Sequence, residues 1–379
     1  LNSEPIDHQS PSPANRTDLI SLLSLLAVPE IGNKRAFELI NLFGSSSEVL
    51  KSPAGEIASA IKIPLEVGQN VVQAGHNTEE AHKIIERMDE IGGQIVTVWD
   101  EAYPARLKKI TDPPVVLYIM GEWSPLYYYS VAMVGTRSAS NHGRRITPLI
   151  ARELAEQGVT VVSGMAEGID SLAHIGALEA GGRTIAVLGS GLDVIYPPSN
   201  RKLYARIIRQ GAVMSEYPPG TKPETHHFPQ RNRIISGISL GVVVVEAPSK
   251  SGALITAELA DKQSRAIFAV PGDGGLTRSA GTNELIKSKN AIMVESGKEI
   301  IEELRSQLAP VLNVAATMVL PDMNDDEKLI YDLLENGALL KNDIIRETGL
   351  TVAKFGMILT SMQTRKLVKN YPGAQIGRA

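Results

Sequence analysis

The sequence predicts an α/β protein built on a doubly wound, mostly parallel sheet, with a small helical domain before it and a winged-helix-like domain after it. Three observations lead there. Between Gly93 and Ser296 lie nine short runs rich in β-branched residues, Ile95–Trp99, Val115–Met120, Val131–Val134, Val159–Val162, Thr184–Leu188, Val213–Ser215, Val242–Val245, Ile267–Val270 and Ile292–Val294. Most are apolar throughout rather than alternating, as strands covered on both faces are. Those after Val131 are mostly separated by helical stretches, the texture of βαβ units, whereas on either side of this region the apolar spacing is helical.

The totals set limits. A chain of 379 residues suggests two or three domains. No stretch approaches the roughly 20 uninterrupted apolar residues that span a bilayer, so no membrane association is expected. Cysteine is absent, which excludes disulfides, thiolate metal sites and cysteine nucleophiles and fits a cytoplasmic protein. A net charge of −4 excludes a generally basic surface, so any contact with nucleic acid must be local.

In chain order, residues 1–18 are polar and dotted with proline, and are expected to be a disordered lead-in. Residues 19–90 read as a helical domain, SAM-like or of the helix-hairpin-helix kind, with the turn Pro29-Glu30-Ile31-Gly32 between two apolar helices. Such a turn can offer N–H groups to a phosphate, but Glu30 would repel one; packing and DNA contact both stand as readings. Residues 91–308 hold the sheet. Residues 309–323, with Pro310 and Pro321, read as a linker, and 324–379 as the winged-helix-like unit, with Pro372-Gly373 at a wing. From Lys354 onward that unit has five bases and no acid, which suits DNA or protein contact equally.

In an open parallel sheet, ligands sit beyond the carboxyl ends of the strands. The segments there are Gly135-Thr136-Arg137, Ser163-Gly164-Met165-Ala166-Glu167-Gly168, Gly189-Ser190-Gly191, Ser251-Gly252 and Pro271-Gly272. Glycine lets the main chain approach a ligand, and helix N-termini at this rim favour an anion. Arg137 supplies a fork of donors for phosphate, and Ser163 and Ser251 supply hydroxyls. The densest signal is Phe228-Pro229-Gln230-Arg231-Asn232-Arg233. One arginine is expected to grip phosphate and the other to be paired structurally, while Phe228 is either a stacking platform for a base or a core residue.

Several chemistries lack their inventory. His226-His227 have no ligand partners at zinc spacing, and no Walker loop occurs. Gly189-Ser190-Gly191-Leu192-Asp193-Val194 only approximates a dinucleotide fingerprint, with Glu216 as a candidate ribose acid, so no cofactor is expected.

Taken together, Ser163-Gly164-Met165-Ala166-Glu167-Gly168-Ile169-Asp170 with Ala173-His174, Thr184 to Gly189, Phe228 to Ile235, and Pro271-Gly272 with Gly281-Thr282-Asn283 resemble the successive motifs of the DNA-processing protein A (DprA, or Smf) family. The resemblance runs from about Tyr103 to Ala291. It implies a Rossmann-like domain that binds incoming single-stranded DNA without catalysis in natural transformation, dimerises, and loads the RecA recombinase. By motif, Arg137, Ser163, Gly164, Gly168 and Arg231-Asn232-Arg233 would form the phosphate pocket, with Lys202 or Lys222 as further contacts. The alternative is a nucleotide-processing enzyme of the Rossmann-like phosphoribohydrolase type, which needs a carboxylate at the ribose; Glu167, Asp170 and Glu246 are the candidates, Asp170 also being explicable as a helix cap.

Overall fold

The computed structural model describes residues 16–318, 323–334, 339–365, 367–371 and 375–378. Most of the expected lead-in (1–15), the end of the expected linker (319–322) and the Pro372-Gly373 turn lie outside them. The chain forms two compact units that meet in sequence at Asn313 and Val314.

The first unit opens with six helices, α1 (Arg16–Leu26), α2 (Asn33–Phe43), α3 (Ser46–Lys51), α4 (Ala54–Ala60), α5 (Leu65–His76) and α6 (Glu79–Glu90). The α1 helix thus begins inside the expected lead-in. Asp18 explains this: its carboxylate accepts from Ser46 Oγ (2.7 Å) and from the Ser47 N–H (3.0 Å), tying the first turn to α3. The strands β1 (Gln94–Thr97), β2 (Val116–Gly121), β3 (Ser130–Gly135), β4 (Thr160–Ser163), β5 (Thr184–Val187), β6 (Ala212–Ser215), β7 (Gly241–Glu246), β8 (Ala266–Ala269) and β9 (Ile292–Met293) match the nine expected runs. Between and after them come α7 (Asn141–Glu156), α8 (Ile169–Glu179), α9 (Arg201–Gln210), α10 (His227–Ile238), α11 (Gly252–Lys262), α12 (Ala280–Lys287), α13 (Gly297–Glu303) and α14 (Arg305–Met318).

The sheet order is β1-β2-β6-β5-β4-β3-β7-β8-β9, parallel from β6 to β9 and antiparallel at β1-β2 and β2-β6. Along β3, Val131 and Met133 enter one core while Ala132 and Val134 enter the other, and β7 alternates likewise. Both faces are therefore buried, which is why these strands carry no polar alternation. The helices α7, α8 and α13 pack into the core on one face; α9, α10, α11 and the N-terminal helices share the core on the other. That continuity corrects the expectation of a separate N-terminal domain: Ile31 of the presumed hairpin turn is buried, and Phe37 stacks on Trp99 with ring centres 5.8 Å apart.

The expected linker is helical through Met318. Leu308 and Val311 are buried, as is Leu304 just before the helix, so α14 is held by packing despite Pro310 within it. The second unit has helices α15 (Asp325–Leu333), α16 (Lys341–Thr348) and α17 (Val352–Thr364), with strands β10 (Leu339–Leu340), β11 (Val368–Tyr371) and β12 (Gln375–Arg378) in an antiparallel sheet ordered β10-β12-β11. Its own core gathers Ile330, Ile344, Phe355 and Met362. No helix among the described residues is long and apolar enough to cross a membrane.

Candidate functional site

The strand order reverses between β3 and β7. From β3 the chain steps outward to β4, and from β7 it steps the other way to β8, so α7 and α11 diverge onto opposite faces and leave a crevice at the carboxyl ends of the two strands. A cleft of about 430 Å³ lies there. Of the sequence-predicted residues it brings together Gly135, Thr136, Arg137, Ala166, Phe228, Arg231, Asn232, Ser251 and Gly252, with Asp170, one of the candidate carboxylates, also in its lining.

Arg137 is exposed, and its guanidinium lies 5.6 Å from the centre of the Phe228 ring. Phe228 is half-buried and also meets Tyr196, ring centres 5.7 Å apart. It is neither a free platform nor a core residue; it is a partly exposed ring that carries a cation on its face. Across the cleft, Ser251 caps α11 by accepting from the Ala253 N–H (3.3 Å), and a Cβ at Gly252 would meet nothing within 4 Å. The positive end of α11 is thus open toward the cleft. Asn232 donates to the Gly252 carbonyl (3.3 Å), joining α10 to that turn.

Arg231 departs from the expected role. Its side chain is buried and donates to the carbonyls of Gly164 (2.7 Å) and Val187. Burial pushes its pKa down to about 10, opposed by the charge of Asp170 and reinforced by Arg137. It forms the floor of the cleft rather than a phosphate clamp. Asp170 is buried beside it; burial raises its carboxyl above the usual range against the pull of Arg231 and of the Ala166 and Gly164 N–H groups. Those two groups donate to Asp170 Oδ2 at 3.4 and 3.1 Å, folding the loop after β4 back on itself. Asp170 does not cap α8, since Gly168 holds the capping position.

Arg233 faces elsewhere. It pairs with Glu216 (2.6 Å) and Asp112 (3.4 Å) along a second hollow, about 720 Å³, between the N-terminal helices and the sheet. Glu216 is thereby engaged and is not a ribose acid. Both arginines lie within α10, two residues and roughly 200° apart, so they cannot share a face.

Most of the glycines serve the protein itself. A Cβ at Gly164 would sit 2.4 Å from Arg231 Nη1, at Gly168 2.4 Å from the Thr136 and Arg137 carbonyls, and at Gly135 2.6 Å from Ile169. These contacts press the loops after β3 and β4 together and fix the backbone of Arg137. Ser163 is fully buried and donates to the Met133 carbonyl (2.6 Å), and Met165 is buried at φ +56°, so neither reaches a ligand. Lys202 and Lys222 are exposed but do not line the cleft. Lys250 does, and sequence reasoning passed over it although it directly precedes Ser251-Gly252. The Pro271-Gly272 and Asn283 motif is a clip, with Asn283 exchanging two hydrogen bonds with the Gly272 backbone (3.1 and 3.0 Å).

Of the candidate carboxylates, Glu246 is buried and accepts from the Ser140 N–H (3.0 Å) and Oγ (2.9 Å), while Glu167 is exposed and accepts from Ser199 Oγ (2.9 Å). The histidine pair does have a partner: Glu224, His226 and His227 offer ligand atoms within 4.8 Å of one another. They lie at the N-terminal end of α10, where the helix dipole disfavours a cation.

A mostly parallel sheet with helices on both faces and a cleft at its switch point places the chain among the Rossmann-like, doubly wound α/β proteins. Within that class the chain belongs to the DNA recombination-mediator protein A family, whose sequence profile matches residues 94–305. It is 36% identical over 335 residues to Protein Smf of Synechocystis sp., covering 80% of this chain and 84% of that protein. The crystal structure of DNA processing protein A from Streptococcus pneumoniae superposes with a TM-score of 0.66 at 34% identity, covering 76% of this chain and 98% of that one. DNA processing protein A from Helicobacter pylori, described for its single-stranded DNA binding mode, superposes with a TM-score of 0.51 at 33% identity over 56% of this chain and 97% of that one.

Proposed function

We propose that this protein binds single-stranded DNA in the cleft between β3 and β7, holding backbone phosphate with Arg137, Lys250 and the N-terminus of α11, and a base against Phe228. The observation that carries the reading is Arg137 itself: an exposed guanidinium without a carboxylate partner among the described residues, braced by the Phe228 ring and by glycine-packed loops at the switch point. The reported single-strand binding mode of the Helicobacter pylori relative supports it. Binding without catalysis agrees with the engagement of Glu246 by Ser140 and of Asp170 by the loop N–H groups. On the family resemblance, the protein acts as a cytoplasmic homodimer that protects incoming strands and loads RecA, and its second unit is winged-helix-like.

The test is binding of a labelled oligothymidylate across a salt series, with nucleoside monophosphates assayed in parallel for released base. Affinity is expected to fall with salt, with a log–log slope near −0.7 per phosphate contact. It should drop at least about tenfold in Arg137→Ala, with no base release. Unchanged affinity in that variant removes the cleft from the binding site, and base release in excess of enzyme supports the hydrolase alternative.

A further inference from the structure

At the other end of the sheet, where β3 and β8 begin, a further hollow of about 320 Å³ is lined by Ala105, Arg106, Lys109, Tyr128, Tyr129 and Arg265. Tyr128 and Tyr129 directly precede β3, and Arg265 directly precedes β8. The strand β3 has six residues, so at about 3.3 Å per residue this hollow lies some 20 Å from the switch-point cleft.

Three cations converge here and no acidic residue lines the hollow. Among the described residues, neither arginine nor Lys109 takes part in an ion pair. The guanidinium groups are fixed by backbone: Arg106 Nη1 donates to the carbonyls of Tyr128 (2.6 Å) and Ile238 (3.3 Å), and Arg265 Nη2 to those of Arg106 (3.0 Å) and Gly237 (3.1 Å). Gly237 and Ile238 end α10, so both arginines also serve as a cap.

Capping does not account for the whole arrangement. A helix C-terminus presents about half a negative charge, whereas the arginines alone bring two positive ones. Arg265 Nε is buried without a hydrogen-bond partner among the described residues, so the protein itself leaves part of this guanidinium unsatisfied. Burial, and after it the charge of Arg106, push the Arg265 pKa down to about 10, the response of a cation lacking its counter-ion. Lys109 is exposed at the mouth, and the tyrosines add aromatic faces and hydroxyl groups.

We infer that this hollow is a second anion site, separate from the switch-point cleft, which takes a phosphate group on Arg106, Arg265 and Lys109. The phosphate can come from a polynucleotide backbone or from a small phosphate compound, since both present the same oxygens. Preorganised, charged donors facing an uncompensated pocket are what such a group requires.

The full chain is titrated with pyrophosphate, in the Arg137→Ala, Lys250→Glu background so that the switch-point cleft is weakened, and with Lys109→Glu and Arg265→Gln added singly. Binding is expected in the background protein and is expected to weaken about tenfold or more in each added variant. Lys109 is exposed, so its variant leaves the fold intact and keeps the test decisive even where Arg265→Gln is destabilised. An oligothymidylate carrying 4-thiothymidine identifies the source. Photo-crosslinks at Tyr128 or Tyr129, lost in Lys109→Glu, assign a polynucleotide; pyrophosphate binding without those crosslinks assigns a small phosphate compound. No pyrophosphate binding in the background protein, or binding indifferent to both variants, overturns the inference. Because Arg137 is absent throughout, that outcome is distinct from a failure of the switch-point cleft to bind DNA.

Discussion

Arg231 was expected at a phosphate and is found beneath the cleft, and replacing it separates the two roles. In Arg231→Gln the two charge-assisted hydrogen bonds to the Gly164 and Val187 carbonyls are lost, and the buried Asp170 loses the charge that favours its ionised form. Hydrogen bonds from charged groups contribute about 1.5–3 kcal/mol each, so losing the two is expected to destabilise by about 3–5 kcal/mol. At roughly 2–4 °C per kcal/mol for a domain of a few hundred residues, the melting temperature should fall by about 10 °C. Thermal unfolding followed by tryptophan fluorescence is the suitable assay, because both tryptophans, Trp99 and Trp123, lie in the first unit and report on it alone. An unchanged midpoint together with loss of oligonucleotide binding would place the guanidinium in contact with the ligand and refute the assignment of Arg231 to the floor.

Other consequences are as specific. Lys250→Glu should weaken oligonucleotide binding about tenfold, while Lys202→Glu and Lys222→Glu should change it less than threefold; comparable losses in all three would mean that overall charge, not the cleft, sets affinity. Gly168→Ala combines a left-handed backbone (φ +79°) with a Cβ 2.4 Å from two carbonyls, so it should destabilise by more than about 1–2 kcal/mol and displace the loop bearing Arg137; a variant with normal stability and binding contradicts that packing. His174 is buried, hydrogen-bonded through Nδ1 to Thr184 Oγ1, and burial followed by the Arg231 charge depresses its pKa from 6.5 to about 3. With the folded value below the unfolded one, its contribution is complete above pH 6.5 and is lost as pH falls toward 3. The slope is about 1.4 kcal/mol per pH unit, and it should be absent from a His174→Gln variant that still folds.

Much of the architecture is legible along the chain because its signals are local. Nine apolar runs became nine strands; the central ones, buried on both faces, cannot hide their composition, and the edge strands β1 and β9 are apolar although partly exposed. Small residues after those runs located the rim that carries the cleft. The expected linker holds the boundary between the two units, but its first part is helical: Pro310 sits inside α14, where Leu308 and Val311 are buried three residues apart. The N-terminal helices were read as a domain because their own periodicity is complete; nothing in it reveals that their core continues into the sheet.

The residue types at the site were also present in the sequence, but their division of labour was not. The positions two apart, 231 and 233, mark two arginines on opposite sides of a helix, and only the packing of α10 decides which side looks into the cleft. Likewise a glycine shows that something approaches closely without showing what: at Gly164 it is the Arg231 guanidinium, at Gly168 the backbone of Thr136 and Arg137. Composition and periodicity therefore determined the strands and the rim, because they depend on neighbours in sequence, and the order of the motifs carried the resemblance to the family. Which cations stay free for a ligand depends on carbonyls and carboxylates that are distant in sequence, and only the folded chain brings those together.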